Sequence, residues 1–420
     1  MTVFQTTAIL LTFAALGSFI NTRFLRLPAS IGMMLFALLL SWGGMGLARL
    51  GWLDLGPASN FIADIDFSHV FLHGMLSFLL FAGALQVDFA ELKKYKVVVA
   101  VLATIGVLIA TAVTGSLVWL AAAAMGLALP YTFALLFGAL IAPTDPIAVL
   151  SILKGAPLGK GLRVKIACES LLNDGVGVVV FLALLGLAAA TQDAHMSWSV
   201  IGLLFLWAGA GGVILGLALG WLALMLLRRV DDYKTEILIT LALAAGGYAL
   251  AEAVYVSAPI TMVVAGLVIG NHGRLFSMTD KTRKHMDMFW ELFDDILNAV
   301  LFLLIGLEIM VMPFSPAYLT VGAAAVAAVL AGRFVSVAVP IGAMQFVPGR
   351  WRTRFERHTV PLMTWGGLRG GISVALALSL PPSPYKNTIL EMTYLTVVFS
   401  VLFQGTTFAL LIDRLGKQAK

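Results

Sequence analysis

The sequence predicts an all-helical protein that crosses a lipid bilayer many times, and three observations predict it. The chain has 420 residues, 60% of them hydrophobic and only 12% charged, whereas soluble domains carry about 25% charged residues. Its mean hydropathy is +0.98, and the apolar residues fall into stretches of roughly 18 to 25, the length a helix needs to cross about 30 Å of hydrocarbon. Its basic residues cluster in every second connection between those stretches, as expected when connections alternate between two sides of a membrane.

The same composition excludes other classes. A net charge of +5 and a pI of 9.3 would suit a nucleic-acid binder, but the basic residues sit in short runs between apolar stretches, which is membrane topology and not a binding patch. Cys168 is the only cysteine, so there is neither an internal disulfide nor a cysteine-based metal site. No nucleophile–base set or soluble output domain is legible, so no enzyme activity and no cofactor are expected.

Taken in order, thirteen stretches are candidate spans: 3–21, 28–48, 67–87, 97–121, 131–153, 164–190, 199–227, 236–253, 258–271, 290–311, 316–346, 357–380 and 388–411. The first has no Lys or Arg before it and so lacks the basic start of a cleavable signal peptide. The eighth and ninth are short and separated only by Glu252 to Pro259. The polar connection from Asn271 to Met288 reads as a loop or surface helix, and the tail after Leu415 leaves no room for a large regulator. Of the 27 Lys and Arg residues, 23 fall in alternate connections. The positive-inside rule then puts the N-terminus outside and the C-terminus in the cytoplasm.

Two spans are interrupted. The fifth contains Ala142-Pro143-Thr144-Asp145-Pro146. Its prolines lack an N–H, so the carbonyls of Ala139 and Ala142 lose their usual helical donors. The twelfth contains Gly366-Gly367-Leu368-Arg369-Gly370-Gly371. The two breaks are offset by seven spans. Because seven is odd, a repeat of spans 1–6 onto 8–13 is inverted in the membrane, and paired breaks in two inverted halves point to a transport site.

The sixth span carries Glu169-Ser170-Leu171-Leu172-Asn173-Asp174. Ser170 and Asp174, four apart, share a helix face, and Glu169 is turned away by roughly 140°. An ionisable residue inside a span marks function by default, because a charge at the bilayer centre costs at least about 2.5 to 3.5 kcal/mol. Asp145 and Thr144 at the break, with Asp174, Ser170 and Asn173 on the next span, offer carboxylate, hydroxyl and carbonyl oxygens without sulfur or imidazole. That set suits a hard monovalent cation. A buried carboxylate does not remain charged alone, so one of Asp145 and Asp174 takes a proton unless a cation is bound. Proton and cation thus compete for one site, and competition by itself yields obligatory exchange.

Glu169 and Arg333 in span 11 are expected to pair, since each is too costly to bury alone. Arg369 is expected at the carbonyl end of its own half-helix and Asp145 at an N–H end in span 5. Asn298, Glu308 and Gln404 read as interhelical hydrogen-bonding groups. His69, His73, His195, His272, His285 and His358 lie near span ends or in loops and read as solvated.

Thr144-Asp145-Pro146, Glu169-Ser170-x-x-Asn173-Asp174, Gly332-Arg333 and the glycine-rich Gly366 to Gly371 with Arg369 together resemble the monovalent cation:proton antiporter-1 family, the bacterial sodium/proton antiporters. The resemblance covers essentially the whole chain. It implies thirteen helices: spans 4–6 (97–190) and 11–13 (316–411) as a mobile core, and spans 1–3 (1–96) and 8–10 (236–311) as a dimerisation domain, joined by span 7 (199–227). It also implies Na⁺ bound by Asp145, Asp174, Ser170 and Thr144, with Asn173 steadying the site and Glu169 with Arg333 as a structural pair. The expected partners are monovalent cations, protons, the lipid of a bacterial inner membrane and a second copy of the chain. The pair Asn173-Asp174, in place of two aspartates, goes with electroneutral exchange in such proteins. Some relatives carry a glutamate in the span-3 turn, where this chain has Leu80-Phe81-Ala82-Gly83-Ala84. A potassium/proton antiporter of the same fold is the alternative, and a passive cation channel is a further one. A channel builds a symmetric ring of ligands on a pore axis, unlike an asymmetric site between two breaks.

Overall fold

Inside a bilayer no water bonds the backbone, so a spanning chain must close its polar groups within helices or a barrel. This chain takes the first route: every regular element among the described residues of the computed structural model is a helix. The structure describes residues 3–63, 65–87, 89–145, 149, 159–190, 198–273, 280–311, 316–346, 355–356 and 358–417.

Helix α1 (Val3–Ile20) runs into a π-turn, Asn21–Leu25. Arg26, at φ 54°, then turns the chain sharply, and the Asn21 side chain braces the corner by bonding both the N–H and the carbonyl of Leu27. Pro28 directly precedes α2 (Ala29–Arg49), where a missing N–H costs nothing. A short α3 (Gly56–Ala63) follows, then α4 (Phe67–Leu85), which holds a π-turn at Val70–Met75. Helix α5 (89–124) has another at Leu102–Gly106. Next come α6 (Tyr131–Ile141), α7 (Lys160–Ala190), α8 (Trp198–Leu227) and α9 (Tyr233–Ala253). Asp232 caps α9, accepting from the Thr235 hydroxyl and N–H, and these bonds hold its carboxyl below the usual range. Helix α10 (258–273) ends in a π-turn, α11 is Asp280–Glu308 and α12 is Pro316–Phe346. The last three are α13 (Thr359–Trp365), α14 (Gly371–Leu378) and α15 (386–417), which is interrupted by a π-turn at Ser400–Gln404.

Among the described residues, nine helices are long and apolar enough to cross a membrane, and Tyr131–Ile141 and Ala258–Asn271 are shorter apolar helices. This is a multi-pass membrane protein. Two helices start well before their expected apolar stretches. Helix α5 starts at Phe89, with Glu91 and Lys94 paired at 2.6 Å on its polar first turns. Helix α11 starts at Asp280, inside the connection read as a loop or surface helix; residues 274–279 lie outside the described residues. Hydropathy marks where lipid ends, whereas a helix closes its own hydrogen bonds and can continue into water.

The helices pack in two groups. Helices α5, α6, α7 and α12 lie together with α13, α14 and α15, while α1, α2, α4 and α8 to α11 form the other group. They meet where α7 lies against α8 and α10, and where α14 lies against α4. In the first group α5 and α6 approach closely through glycine. A Cβ on Gly115 would come within 2.9 Å of the Ala134 carbonyl, and one on Gly138 would strike the Thr111 carbonyl. Small residues let helices touch where lipid supplies no hydrophobic drive for association.

Candidate functional site

The end of α6 and the gap between α13 and α14 cross and bond one another. Ala142 closes α6 with a tightened turn, its N–H reaching the Ala139 carbonyl at 3.3 Å. Pro143, Thr144 and Asp145 then run without helical structure, because Pro143 has no donor with which to continue the ladder. In the second break, Gly366 to Gly370 separate α13 from α14. The Asp145 N–H donates to the Leu368 carbonyl at 2.7 Å, backbone to backbone across the crossing.

The charges trade partners there. The Arg369 guanidinium, 2% exposed, donates to the carbonyls of Ala142 and Pro143, at the C-terminal end of α6. Asp145 sits at the start of α14, where a Cβ on Gly370 would come within 2.6 Å of its Oδ2. Arg369 thus serves the carbonyl end of the other break's helix and not of its own, and Asp145 lies beside the start of α14; the N–H end expected for Asp145 within span 5 falls on residues 146–148 and 150–158, outside the described residues. The physical reason is the crossing itself, which brings the carbonyl end of α6 to Arg369 and the positive N-terminal end of α14 to Asp145. It also means that the Ala142 carbonyl freed by proline is taken by Arg369, and the Ala139 carbonyl by its own helix. The Arg369 backbone is held in turn, its N–H donating to Ser400 Oγ at 2.8 Å in the π-turn of α15. Such turns are frequent at functional sites.

Helix α7 supplies the opposite wall. Asn173 Oδ1 accepts from the Thr144 N–H at 3.1 Å, and its Nδ2 donates to Thr144 Oγ1 at 2.8 Å and to Glu169 Oε1 at 3.0 Å. The Ser170 hydroxyl donates to the Thr144 carbonyl and lies 2.8 Å from Thr144 Oγ1. One amide and one hydroxyl therefore satisfy a stretch of backbone that has no helical partners. Behind them, Arg333 of α12 meets Glu169 through two parallel bonds, Nη1 to Oε1 at 2.7 Å and Nη2 to Oε2 at 2.8 Å, and its Nε donates to the Met363 carbonyl. Glu169 is 1% exposed and Arg333 6%.

Asp174 stands apart from this network. It is 2% exposed, and its Oδ1 has no hydrogen-bonding protein group within reach. It faces a cavity of about 40 Å³, enough to admit water or a partly hydrated ion. Asp145, Thr144, Ser373 and Asn298 share that cavity, with an apolar wall from α4 that includes Leu76, Leu79 and Leu80. Ser170 and Asn173 are not among the lining residues; both point at Thr144.

Sequence reasoning did not single out Ser373 or Ser400, and it read Asn298 as an interhelical group. Asn298 donates to the Asp294 carbonyl of its own helix and lines the cavity. The one available signal for Ser373 was a hydroxyl two residues past a glycine-rich break. Gln404 reaches the Trp365 carbonyl at 3.4 Å, at the end of α13. Of the described histidine side chains, His69 stacks on His73, His73 lies 3.3 Å from Glu252, and His285 packs on Tyr233. None of these lines the cavity. His195 and the side chain of His272 lie outside the described residues.

Two helix breaks that cross, compensate each other's ends and flank a buried carboxylate define a secondary transporter of the broken-helix type. The chain belongs to the sodium/hydrogen exchanger family: the family described as "Sodium/hydrogen exchanger, transmembrane" matches residues 9–414. It is 46% identical over 409 residues to the Na⁺/H⁺ antiporter NhaP of Pseudomonas aeruginosa, covering 97% of this chain and 96% of that one. It is 33% identical over 401 residues to the Na⁺/H⁺ antiporter NhaH of Halobacillus aidingensis, covering 94% and 93%. In fold it is similar to the sodium proton antiporter MjNhaP1 of Methanocaldococcus jannaschii, with a TM-score of 0.76 at 20% identity over the whole of both chains.

Proposed function

We propose that this protein exchanges Na⁺ for H⁺ across a bacterial inner membrane, with both ions competing for the Asp174 carboxylate. The observation that carries the reading is Asp174 itself, a buried carboxylate with an unbonded oxygen on a small cavity between two helix breaks. In this reading Asp145 and Thr144 complete the cation's oxygen shell, Ser170 and Asn173 hold Thr144 in place, and Li⁺ or K⁺ are further candidate cargoes.

A charge count supports one-for-one, electroneutral exchange. Glu169 and Arg333 cancel as a bidentate pair, and the opposite formal charges of Asp145 and Arg369 sum to zero, with Arg369 itself bonded to the Ala142 and Pro143 carbonyls. Asn173 carries no charge. Among these five charged residues around the breaks one carboxylate, Asp174, is left over, and a single proton or a single monovalent cation neutralises it. A charged core is expensive to move past lipid-facing helices, so the core crosses only when loaded with one or the other.

The helix group containing α5 to α7 and α12 to α15 is proposed to move against the other group, which pairs with a second copy in a homodimer. The fold is read as thirteen crossings in two inverted repeats, with the N-terminus outside and the C-terminus in the cytoplasm. The experiment is cation-driven proton movement in proteoliposomes, followed with a pH-sensitive dye for each alkali ion. An outward-directed proton gradient should drive Na⁺ inward against its own gradient. Dissipation of both gradients without uphill movement would make the protein a passive conductor and end the reading.

A further inference from the structure

Two oxygens from different helices, lining the same cavity, are in the same condition. Asp174 Oδ1 belongs to α7 and Ser373 Oγ to α14. Both are buried, both line the cavity, and neither has a protein partner. Ser373 is 1% exposed, and buried hydroxyls are rarely left unbonded without a reason.

We propose that Ser373 is a cation ligand contributed by the second break, and that it acts on cation binding alone. This rests on Asp174 being the exchange carboxylate. The argument is one of reach. No hydrogen bond joins Ser373 Oγ to Asp174 although both residues line one cavity, and a proton on Asp174 involves only that carboxyl group. A hard cation of Na⁺ size, with oxygens about 2.3 to 2.6 Å away on each side, spans a gap that a hydrogen bond does not.

The local backbone is built to deliver the hydroxyl. Gly370 and Gly371 have no side chains, so the first turn of α14 closes directly onto Asp145 and Leu301. Ser373 is the third residue of that helix, which places its side chain on the turn nearest the crossing. The second break then supplies a ligand as well as the dipole that steadies Asp145. Cation affinity depends on both breaks being in register, whereas proton affinity depends on Asp174 and its immediate surroundings.

The test is the apparent KM for Na⁺ across a pH series, in proteoliposomes, for Ser373→Ala, Ser373→Cys and Ser373→Thr. Cysteine keeps the volume but replaces a hard oxygen with soft sulfur, and threonine keeps the hydroxyl. Ser373→Ala and Ser373→Cys should raise KM about tenfold at every pH, leaving unchanged both the maximal rate and the pH at which KM levels off. Ser373→Thr should stay near wild type. A packing role would lower the maximal rate or thermal stability in Ser373→Ala, be rescued by Ser373→Cys and leave KM alone. KM within about twofold of wild type in both variants, or a shifted levelling pH, overturns the proposal. If Ser373→Ala does not fold, Na⁺-dependent thermal stabilisation of purified Ser373→Cys decides: retention at wild-type Na⁺ concentrations also overturns it. A wild-type KM that ignores pH is a different result, because it sinks the shared carboxylate and not Ser373.

Discussion

Glu169→Ala leaves the Arg333 guanidinium charged, buried and facing the space its partner filled. The structure sets the size of the loss. Both side chains are nearly inaccessible, so solvent does not screen the pair, and both parallel bonds go at once. Breaking one side of a buried pair costs about 3 to 5 kcal/mol. Asn173 also loses its Glu169 acceptor, a further ~1 kcal/mol, on the residue that holds the Thr144 backbone. Arg333 keeps only the Met363 carbonyl. In a chain of this length that loss lowers the apparent Tm by about 5 to 10 °C, read at one fixed scan rate because unfolding of such proteins is irreversible. The assay is thermal unfolding of purified protein in detergent for Glu169→Ala, Arg333→Gln and the double variant Glu169→Gln with Arg333→Gln. The double variant should recover most of the loss, since it removes both charges and keeps polar groups of similar shape, and the cycle isolates the coupling. Glu169→Ala within about 2 °C of wild type, or a double variant no better than the single ones, would refute the reasoning.

Asp174→Asn should abolish exchange while the purified protein stays folded, because it keeps the side chain's shape and removes the charge that both ions neutralise; exchange near the wild-type rate would disqualify Asp174 as carrier. Transport should ignore membrane potential, since the loaded core is neutral either way; a carrier moving one net charge would gain about 2.3 kcal/mol per 100 mV, so Na⁺ accumulation driven by a valinomycin-set potassium potential would contradict the charge count. Apparent KM for Na⁺ should rise about tenfold per pH unit below the site's pKa and level off above it, because the proton occupies the carboxylate as pH falls. At fixed Na⁺ the activity should be bell-shaped in pH and should survive substitution of each histidine in turn; a KM constant from about pH 5 to 9 would show separate sites. Gly370→Ala should cost at least about tenfold in exchange rate, because its Cβ would land 2.6 Å from Asp145 Oδ2. Gly342→Ala, whose Cβ would meet nothing within 4 Å, should leave the rate alone.

The sequence by itself determined the membrane class, the helical content and the residues that carry charge into lipid, because each follows from local physics. Apolar run length is set by bilayer thickness, a proline removes a donor wherever it stands, and a buried carboxylate is costly in any fold. Pro143 and the glycines from Gly366 to Gly371 therefore announced both breaks, and the i, i+4 spacing on α7 put Ser170 and Asp174 on one face. Helix ends were less legible: the polar turns at Phe89 and Asp280 continue their helices because backbone bonding does not stop at the lipid boundary.

Only the tertiary structure decided which group answers which. That Arg369 caps α6 and Asp145 faces the start of α14 depends on two segments more than two hundred residues apart crossing at one point, and no local pattern encodes that crossing. The same holds for Ser170, which shares a face with Asp174 yet spends its hydroxyl on Thr144, and for Ser373. A serine in an apolar helix reads as ordinary until the cavity it lines turns out to hold Asp174 as well, because an unbonded hydroxyl acquires meaning only from what shares its cavity.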